Sequence, residues 1–258
     1  MAQALRATIR KQPHGTQAVI EAAAPLGKWT PILIIEPQAA LCAADTLNLD
    51  VFSPTLAWHS AKANRRVVIL NGGNGVARIV TTITTHSHDM LRVETRVTLR
   101  RSMRIEYLRE RLQVQNLADA RIALPHGAAT GRPLAGDVTM PVPAAIVEAD
   151  ACVVAIIGNV RAMTTHRRVP LALGLHAAGD ELSFGFTPYR LDKEGRCVHY
   201  DSDTCDVSGV LRYSYYIYYD EQSRRRDGVQ RVVHRLWRLF AEGRSRRIAP
   251  QRVVLEQY

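Results

Sequence analysis

Two pairs of residues in the sequence combine an aromatic ring with a hydrogen-bonding neighbour. Trp58 and His59 lie at the end of the stretch LNLDVFSPTLAWHS, and Tyr189 and Arg190 lie in the stretch SFGFTPYRLD. An aromatic ring offers an apolar face for stacking, and the neighbouring side chains donate hydrogen bonds, which is the combination that a sugar ring needs. We therefore take these four residues as candidate carbohydrate contacts. Simple burial of Trp58 in the core is the alternative.

No arrangement of nucleophiles, acids or bases in the sequence identifies a catalytic site. There is no G-x-S-x-G elbow, and the Asp and Glu residues lie mostly in expected turns or among arginines on strand faces. His59, His176 and His199 are candidate bases if the chain itself acts on a sugar, although a histidine in a strand is more often structural. We assign no catalytic residue.

The sequence gives no reason to expect a metal or a cofactor. His86 and His88 have the spacing of two metal ligands on one strand face, with Asp89 beside them, but a turn between two strands explains the same pattern. The glycines of NGGNG, at residues 71–75, are not followed by the Lys and Ser or Thr of a phosphate-binding loop, so a hairpin turn is the better interpretation. We predict no metal site and no cofactor.

Composition and charge indicate a globular protein without a nucleic-acid partner. Of the 258 residues, 47% are hydrophobic and 22% are charged, as in ordinary folded domains. The net charge of +10 comes mainly from arginines. Along one expected strand, apolar residues alternate with the arginines Arg92, Arg96 and Arg100, which make the outer face of the strand solvent-exposed. The sequence contains no RNA-recognition, zinc-finger or helix-turn-helix pattern.

The first residues and the cysteines predict a cytoplasmic location. The opening stretch MAQALRATIRKQPHG lacks the apolar segment of a secretion signal, and the longest apolar run, ACVVAIIG, is too short to span a membrane. We expect no membrane partner. The four cysteines fit the free thiols of a reducing compartment, although Cys197 and Cys205 are near enough in sequence for a hairpin disulfide. The sequence leaves that pairing open.

Alternation of apolar and polar residues dominates residues 1–222. In MLRVETRVTLR, for example, Leu91, Val93, Val97 and Leu99 share one face of a half-buried strand. Many short strands follow one another with Gly, Pro, Asn and Asp turns between them, and strands do not alternate with helices. We predict a mainly β fold, a large antiparallel β-sandwich of the super-sandwich type with one C-terminal linker helix.

The stretch RYSYYIYYD contains five of the nine tyrosines of the chain. In a strand, Tyr213, Tyr215 and Tyr219 point to one face, and Tyr216 and Tyr218 point to the other. Aromatic residues on both faces are typical of a strand that is covered on both sides. We predict a central strand of the sandwich, with any spare hydroxyls reaching the sheet edge, and not an exposed aromatic platform.

Residues 223–258 change to a helical period. Within about 228–242 the apolar residues Leu236, Trp237 and Phe240 fall on one side and arginines on the other. We predict one amphipathic helix here, which docks beside the tyrosine strand, and a tail that leads towards a further domain.

Five stretches of the sequence resemble, in their order, the N-terminal β-sandwich of six-hairpin glycosidases of the rhamnosidase-like or glucoamylase-like type. They are LNLDVFSPTLAWHS, GDVTMPVPAAIV, SFGFTPYRLD, RYSYYIYYD and HRLWRLFAEG. In such enzymes a linker helix joins the sandwich to an (α/α)6-barrel that holds the general acid and base. The resemblance implies that this chain is a non-catalytic accessory domain of a glycoside hydrolase, with a helical catalytic barrel as its partner and a role in contacting sugar.

Two other functions stay open on the sequence alone. The chain is a mutarotase-like sandwich enzyme that acts on a sugar itself, or it is a binding or structural protein unrelated to sugars. A reading frame that continues beyond Tyr258 into helical hairpins is required only by the accessory-domain interpretation.

Overall fold

The computed structural model describes residues 3–23, 28–43, 56–116, 121–123, 138–140, 144–149, 152–158, 171–175, 181–186, 190–191, 197–198 and 205–221. Nearly all of these residues lie in β-strands, as the alternating sequence predicts. The strands are β1 (Leu5–Gln12), β2 (Gly15–Ala23), β3 (Trp29–Ala43), β4 (Ala57–Ala63), β5 (Val67–Gly73), β6 (Ala77–Ser87), β7 (Met90–Leu99), β8 (Met103–Val114), β9 (Arg121–Ala123), β10 (Val138–Met140), β11 (Ala144–Ala149), β12 (Cys152–Gly158), β13 (Leu171–Leu175), β14 (Glu181–Phe186), β15 (Arg190–Leu191), β16 (Cys197–Val198), β17 (Cys205–Val207) and β18 (Val210–Asp220).

The strands of the described residues form one large antiparallel sheet and one small pair. The order in the 16-stranded sheet is β10-β13-β14-β8-β3-β2-β4-β5-β6-β7-β18-β12-β11-β9, with β1 paired to β2 and β17 paired to β8. Strands β15 and β16 pair separately. Hairpins or short connections join consecutive neighbours such as β4-β5, β5-β6 and β6-β7, whereas pairs such as β3-β8 and β7-β18 are formed by strands far apart in the chain.

The large sheet curls on itself into two layers. Strands β8 and β18 are far apart in the sheet order, yet the Tyr215 hydroxyl of β18 lies 2.6 Å from a carboxylate oxygen of Glu110 on β8. Phe184 of β14 packs against the rings of Tyr213 and Tyr215, with centroid distances of 6.2 Å and 5.0 Å. The two layers therefore face each other across one core, and the predicted antiparallel β-sandwich is confirmed.

The core between the layers consists of the inward-pointing residues of alternate strand positions. Its largest fully buried side chains include Trp58, Tyr213, Tyr215, Leu33 and Ile79. Each such aliphatic side chain contributes about 1.5–3 kcal/mol when it leaves water. Packing in this core stabilises the curled shape of the sheet. It therefore also fixes the relative positions of β6, β7, β8 and β18.

Strand β18 is central and is covered on both faces, as its tyrosines predict. It lies between β7 and β12. Tyr213, Tyr215 and Tyr219 belong to the core between the layers, whereas Tyr218 packs in a second apolar cluster on the opposite face, with Tyr216 against it. One expectation was wrong: the Tyr215 hydroxyl does not reach the sheet edge but bonds Glu110 inside the core, because β8 of the other layer passes beneath it.

The predicted hairpin at residues 71–75 is confirmed. The turn follows β5, and the side-chain oxygen of Asn74 accepts hydrogen bonds from the backbone N–H groups of Val76 and Ala77. Gly73, at φ 143°, is still in the strand. Gly72 is required by a close approach of β4, since a Cβ atom there would lie 1.9 Å from the backbone oxygen of Ala57.

The cysteines that the structure describes lie on different strand pairs. Cys197 is on β16, which pairs with β15, and Cys205 is on β17, which pairs with β8. Cys152 on β12 is a buried free thiol, and burial raises its pKa to about 11. The pairing of Cys197 with Cys205 stays an open prediction.

The predicted linker helix at residues 228–242 lies outside the described residues, and the division of the chain into residues 1–222 and 223–258 stays a prediction. Within the part of the chain that the structure describes, no helix is long and apolar enough to cross a membrane.

Candidate functional site

An open trough of about 760 Å³ lies on the face of β6, β7 and β18 that points away from the core. Because strand residues alternate between faces, the residues that flank the core positions Ile79, Val97 and Tyr213 point into this trough. Its lining is polar and charged at most positions: Arg78, Val80, Thr82, Glu94, Thr95, Arg96, Thr98, Arg212, Tyr213 and Ser214.

The strand register places the lining residues in rows across the three strands. Directly paired side chains on one face of an antiparallel sheet lie within contact distance, and diagonal neighbours are within reach of long side chains. The first row contains Thr82, Glu94 and Ser214, the second contains Val80, Arg96 and Arg212, and the third contains Arg78, Thr98 and Val210.

The first row holds the carboxylate of the trough. An amino group of Arg92, two residues before Glu94 on the same strand face, lies 2.6 Å from Oε1 of Glu94. The Glu94 side chain is 46% exposed. One carboxylate oxygen is thus held by a guanidinium, while Glu94 itself lines the trough. An oriented carboxylate of this kind can accept a hydrogen bond or a proton from a ligand.

Beside Glu94, the Ser214 hydroxyl is buried without a partner. Ser214 is 1% exposed, and its Oγ atom has no hydrogen bond to any residue that the structure describes. A buried hydroxyl left without a hydrogen bond costs about 1–3 kcal/mol. Because most buried polar groups in native proteins have a hydrogen-bond partner, this hydroxyl marks the first row as a candidate functional position.

A buried carboxyl lies on the core side of the same strands. Glu110 of β8 is fully buried at a position that is otherwise apolar along this strand. Three hydroxyl groups lie within hydrogen-bond distance of it: Thr95 at 2.5 Å and Thr81 at 3.0 Å from Oε1, and Tyr215 at 2.6 Å from Oε2. These groups come from β6, β7 and β18, so Glu110 ties β8 to each strand of the trough.

A protonated carboxyl at Glu110 would satisfy the hydrogen count of this cluster. The hydroxyls of Thr81 and Thr95 are also 2.8 Å apart, so the cluster has four short contacts but three hydroxyl hydrogens. A proton on the carboxyl supplies the fourth hydrogen. Burial raises the pKa of Glu110 above its usual value of 4.5, and hydrogen bonds from Thr95, Tyr215 and Thr81 offset part of this rise.

Two of the four carbohydrate contacts predicted from the sequence lie together on β4. Trp58 is fully buried, and its indole nitrogen has no hydrogen-bond partner among the described residues. His59 is exposed, and its Nε2 atom lies 3.0 Å from the backbone oxygen of Gly73. Tyr189 and the side chain of Arg190 lie outside the described residues. None of the four lines the trough as described, and their contact with a sugar stays a prediction.

The histidines considered as metal ligands lie at a turn, as the alternative interpretation predicted. His86 and His88 are exposed near the end of β6, and Asp89 accepts a 2.6 Å hydrogen bond from the hydroxyl of Ser87. In the described ranges, no group of three or more His, Cys, Asp or Glu residues has the geometry to hold a metal ion.

The sequence interpretation missed the trough and the buried carboxyl for different reasons. Arg96 was interpreted as part of a solvent-exposed strand face, and nothing in the sequence shows which residues of β6 and β18 lie opposite Arg96 and Glu94. Glu110 could have been noticed in the sequence, because in a strand it points to the same face as the apolar residues Leu108 and Leu112.

Comparison with known proteins gives structural neighbours only. No protein-family model matches the chain, and no curated protein matches it. Solved structures that are similar to it include a putative aldose 1-epimerase from Escherichia coli K12, at 10% identity and a TM-score of 0.47. They also include a GalM/aldose epimerase homologue from C. elegans, at 10% identity and a TM-score of 0.49. Each similarity covers 84% of this chain and 99% of the other chain.

These neighbours correct the resemblance to the N-terminal sandwich of six-hairpin glycosidases. Both are described as aldose epimerases or their homologues, and the similarity extends over 99% of each of them. The interpretation as an accessory domain of a glycoside hydrolase, with a missing helical barrel as partner, was therefore wrong. Alternation and an aromatic strand before a helical period occur in any large sandwich with covered faces, and they do not specify the order of strands in the sheet.

Proposed function

We propose that this chain binds an aldose in the trough of β6, β7 and β18 and exchanges its α and β anomers, the activity for which the epimerase neighbours are named. The observation that carries the proposal is the polar lining of the trough, in which the exposed Glu94 carboxylate lies opposite Ser214, whose hydroxyl has no hydrogen-bond partner among the described residues. The trough volume of about 760 Å³ is within the usual range for small-molecule sites.

The polar lining matches the hydrogen-bonding needs of a sugar. A sugar carries many hydroxyl groups, each of which both donates and accepts. Thr82, Thr98 and Ser214 offer hydroxyls, Arg96 offers guanidinium donors, and Glu94 offers a carboxylate acceptor. A set of oriented donors and acceptors in a concave site gives orientation and specificity to such a ligand.

Glu94 is the group in the described lining that can move a proton in this reaction. Anomer exchange breaks the O–H bond of the anomeric hydroxyl and the bond from the anomeric carbon to the ring oxygen, and it forms a carbonyl. The Glu94 carboxylate takes the hydroxyl proton and then donates the same proton to the ring oxygen that is released. Ring closure on the other face of the carbonyl reverses these steps, so no other reactant is consumed.

The arginines beside Glu94 support the charged stage of the reaction. Negative charge develops on the ring oxygen before the proton reaches it, and fixed guanidinium groups stabilise such charge without being deprotonated. Arg96, two residues from Glu94 on the same strand face, is the nearest arginine of the described trough lining in the register, while Arg92 is already paired with Glu94. Of the histidines considered as bases from the sequence, His59 lies on β4, and His176 and His199 lie outside the described residues.

The proposal is tested by measuring anomer exchange at equilibrium with magnetisation-transfer NMR on a panel of aldoses such as glucose, galactose and xylose. We expect the protein to accelerate exchange of at least one aldose, and Glu94→Gln to lower that rate by about 10²-fold or more. Glu21→Gln is the matched control, because Glu21 forms a similar 2.7 Å ion pair with Arg6 on the paired strands β1 and β2, outside the trough lining.

Two results would oppose the proposal. If the protein accelerates exchange of no aldose, or if Glu94→Gln and Glu21→Gln have the same rate as the parent, the trough does not carry this reaction. Saturable binding of an aldose without faster exchange would instead identify a sugar-binding protein, which is the non-catalytic alternative.

A further inference from the structure

The trough carries three arginines whose charges are not balanced within it. Arg96 on β7 and Arg212 on β18 are directly opposite each other in the register, and Arg78 on β6 is diagonal to Arg96. All three are exposed. Within the described ranges, none of them forms an ion pair, and the one carboxylate of the lining, Glu94, is already bound to Arg92.

Two arginines in direct opposition are unfavourable unless something lies between them. Like charges at paired positions of an antiparallel sheet destabilise that pairing. In a concave site the cost is greater than on a convex surface, because the low-dielectric walls concentrate the field. An oxyanion bound between Arg96 and Arg212 would convert this repulsion into two attractive contacts, since each guanidinium can donate two parallel hydrogen bonds to such a group.

Hydroxyl groups next to the arginines complete the donor set. Thr98 follows Arg96 by two residues on the same face of β7, and Ser214 follows Arg212 in the same way on β18. Ser214 is the buried hydroxyl that has no partner among the described residues. Guanidinium and hydroxyl groups are the donors that bind phosphate and carboxylate oxygens.

We propose that Arg96 and Arg212, with Arg78 beside them, form an anion subsite in the trough, which binds a phosphate or carboxylate substituent of the sugar. This inference rests on the proposed function for the identity of the ligand. Glu94 lies one row from the arginine pair, and successive rows on one strand face are separated by about 6.6–6.8 Å, twice the rise per residue. That distance lets one sugar ring place its anomeric centre at Glu94 and its anionic substituent at the arginines.

The subsite is tested first with inorganic phosphate alone, by calorimetry at low salt. We expect saturable binding that weakens as salt is added, and a loss of affinity of about tenfold or more in the double variant Arg96→Gln/Arg212→Gln. The matched control is Arg10→Gln/Arg65→Gln, which removes two exposed arginines from β1 and from the turn before β5. It should keep the affinity of the parent within about twofold, as expected for surface charges outside the site.

Sugars of different charge then identify the substituent. We expect glucose 6-phosphate or glucuronate to bind more tightly than glucose, and this preference to disappear in Arg96→Gln/Arg212→Gln. Preference for the first identifies a phosphate subsite, and preference for the second a carboxylate subsite. Equal affinity of the parent for all three sugars, or an equal loss of phosphate binding in the Arg10→Gln/Arg65→Gln control, overturns the subsite.

The phosphate measurement separates the subsite from the proposed enzyme activity. Phosphate binding that depends on Arg96 and Arg212 supports the subsite even if no sugar shows faster anomer exchange. Exchange of neutral aldoses without phosphate binding supports the enzyme activity and overturns the subsite. Both double variants alter exposed side chains only, and circular dichroism with a thermal melt verifies that each is folded.

Discussion

The hydroxyl of Tyr215 lies 2.6 Å from Oε2 of Glu110, and this hydrogen bond joins two strands that are far apart in the sheet order. Both side chains are fully buried. The contact therefore links the layer that contains β8 to the layer whose opposite face forms the trough. Because Ser214 immediately precedes Tyr215 on β18, the same strand segment holds the core contact and the unpartnered hydroxyl of the site.

Removal of the Tyr215 hydroxyl should destabilise the fold measurably. Tyr215→Phe leaves Oε2 of Glu110 buried without its donor, which costs about 1–3 kcal/mol in the free energy of unfolding. Urea unfolding of the parent and the variant measures this difference. Tyr216→Phe on the opposite face of the strand is the control and should change stability by less than about 0.5 kcal/mol. Equal stability of the two variants would show that the cross-layer bond contributes nothing.

Glu110 should make the protein less stable as pH rises. Its pKa is raised by burial in the folded state, so above its usual pKa of 4.5 the unfolded chain loses a proton that the folded chain keeps. The unfolded state then binds fewer protons, and the free energy of unfolding falls by at most about 1.4 kcal/mol per pH unit until the folded-state pKa is reached. Below the usual pKa this penalty is absent.

Glu110→Gln removes this pH dependence and keeps a hydrogen-bond donor in the cluster. We expect the stability of Glu110→Gln relative to the parent to rise as pH increases from about 4.5 towards 8. Urea unfolding of both proteins across this range gives the difference directly. A difference that does not change with pH would mean that Glu110 has the same protonation in the folded and unfolded states.

Gly72 and Gly75 should respond oppositely to the same substitution. A Cβ atom at Gly72 would lie 1.9 Å from the backbone oxygen of Ala57, so Gly72→Ala must push β4 away from β5. No atom lies within 4 Å of such a Cβ at Gly75. We expect Gly72→Ala to destabilise the protein by more than about 1 kcal/mol and Gly75→Ala to be neutral or slightly stabilising, as measured by thermal melts. Similar melting temperatures for the two variants would contradict the close approach of β4.

The second apolar cluster offers a docking place for the helix predicted from the sequence. Ile146, Val153 and Tyr218 are buried on the face of β11, β12 and β18 that points away from the main core. If the predicted helix at residues 228–242 covers this face with Trp237, Trp237→Ala should cost about 3–5 kcal/mol. Arg238→Ala, on the polar side of that helix, is the control. If the melting temperature of Trp237→Ala equals that of the parent, the helix does not pack on this face through Trp237.

The sequence predicts which residues are buried better than it predicts which residues from different strands are in contact. Alternation in β7 and tyrosines on both faces of β18 identify two strands and their covered faces correctly, because the two-residue period is a local property of the chain. The meeting of Glu94, Arg96 and Arg212 depends on strand order and register, which are set by non-local pairing. The resemblance to the sandwich of six-hairpin glycosidases was drawn without this information, and it was wrong.

The burial of Glu110 could be predicted from the sequence, but its hydrogen-bond partners could not. A carboxylate on the buried, apolar face of a strand costs free energy unless it has hydrogen-bond partners. The position of Glu110 alone therefore predicts a buried polar cluster. The identity of the partners was not accessible. Thr81, Thr95 and Tyr215 each look like ordinary strand formers, and only the curl of the sheet brings their hydroxyls to one carboxyl.

The location of sugar binding is measured most directly by NMR. Amide chemical shifts of the parent, followed during titration with an aldose that it converts, report which strands contact the ligand. We predict that the largest changes fall in residues 78–82, 92–98 and 210–214, and that Glu94→Gln alters them. Changes confined to Trp58 and His59 on β4, or no saturable change in β6, β7 and β18, would contradict the assignment of the trough as the sugar site.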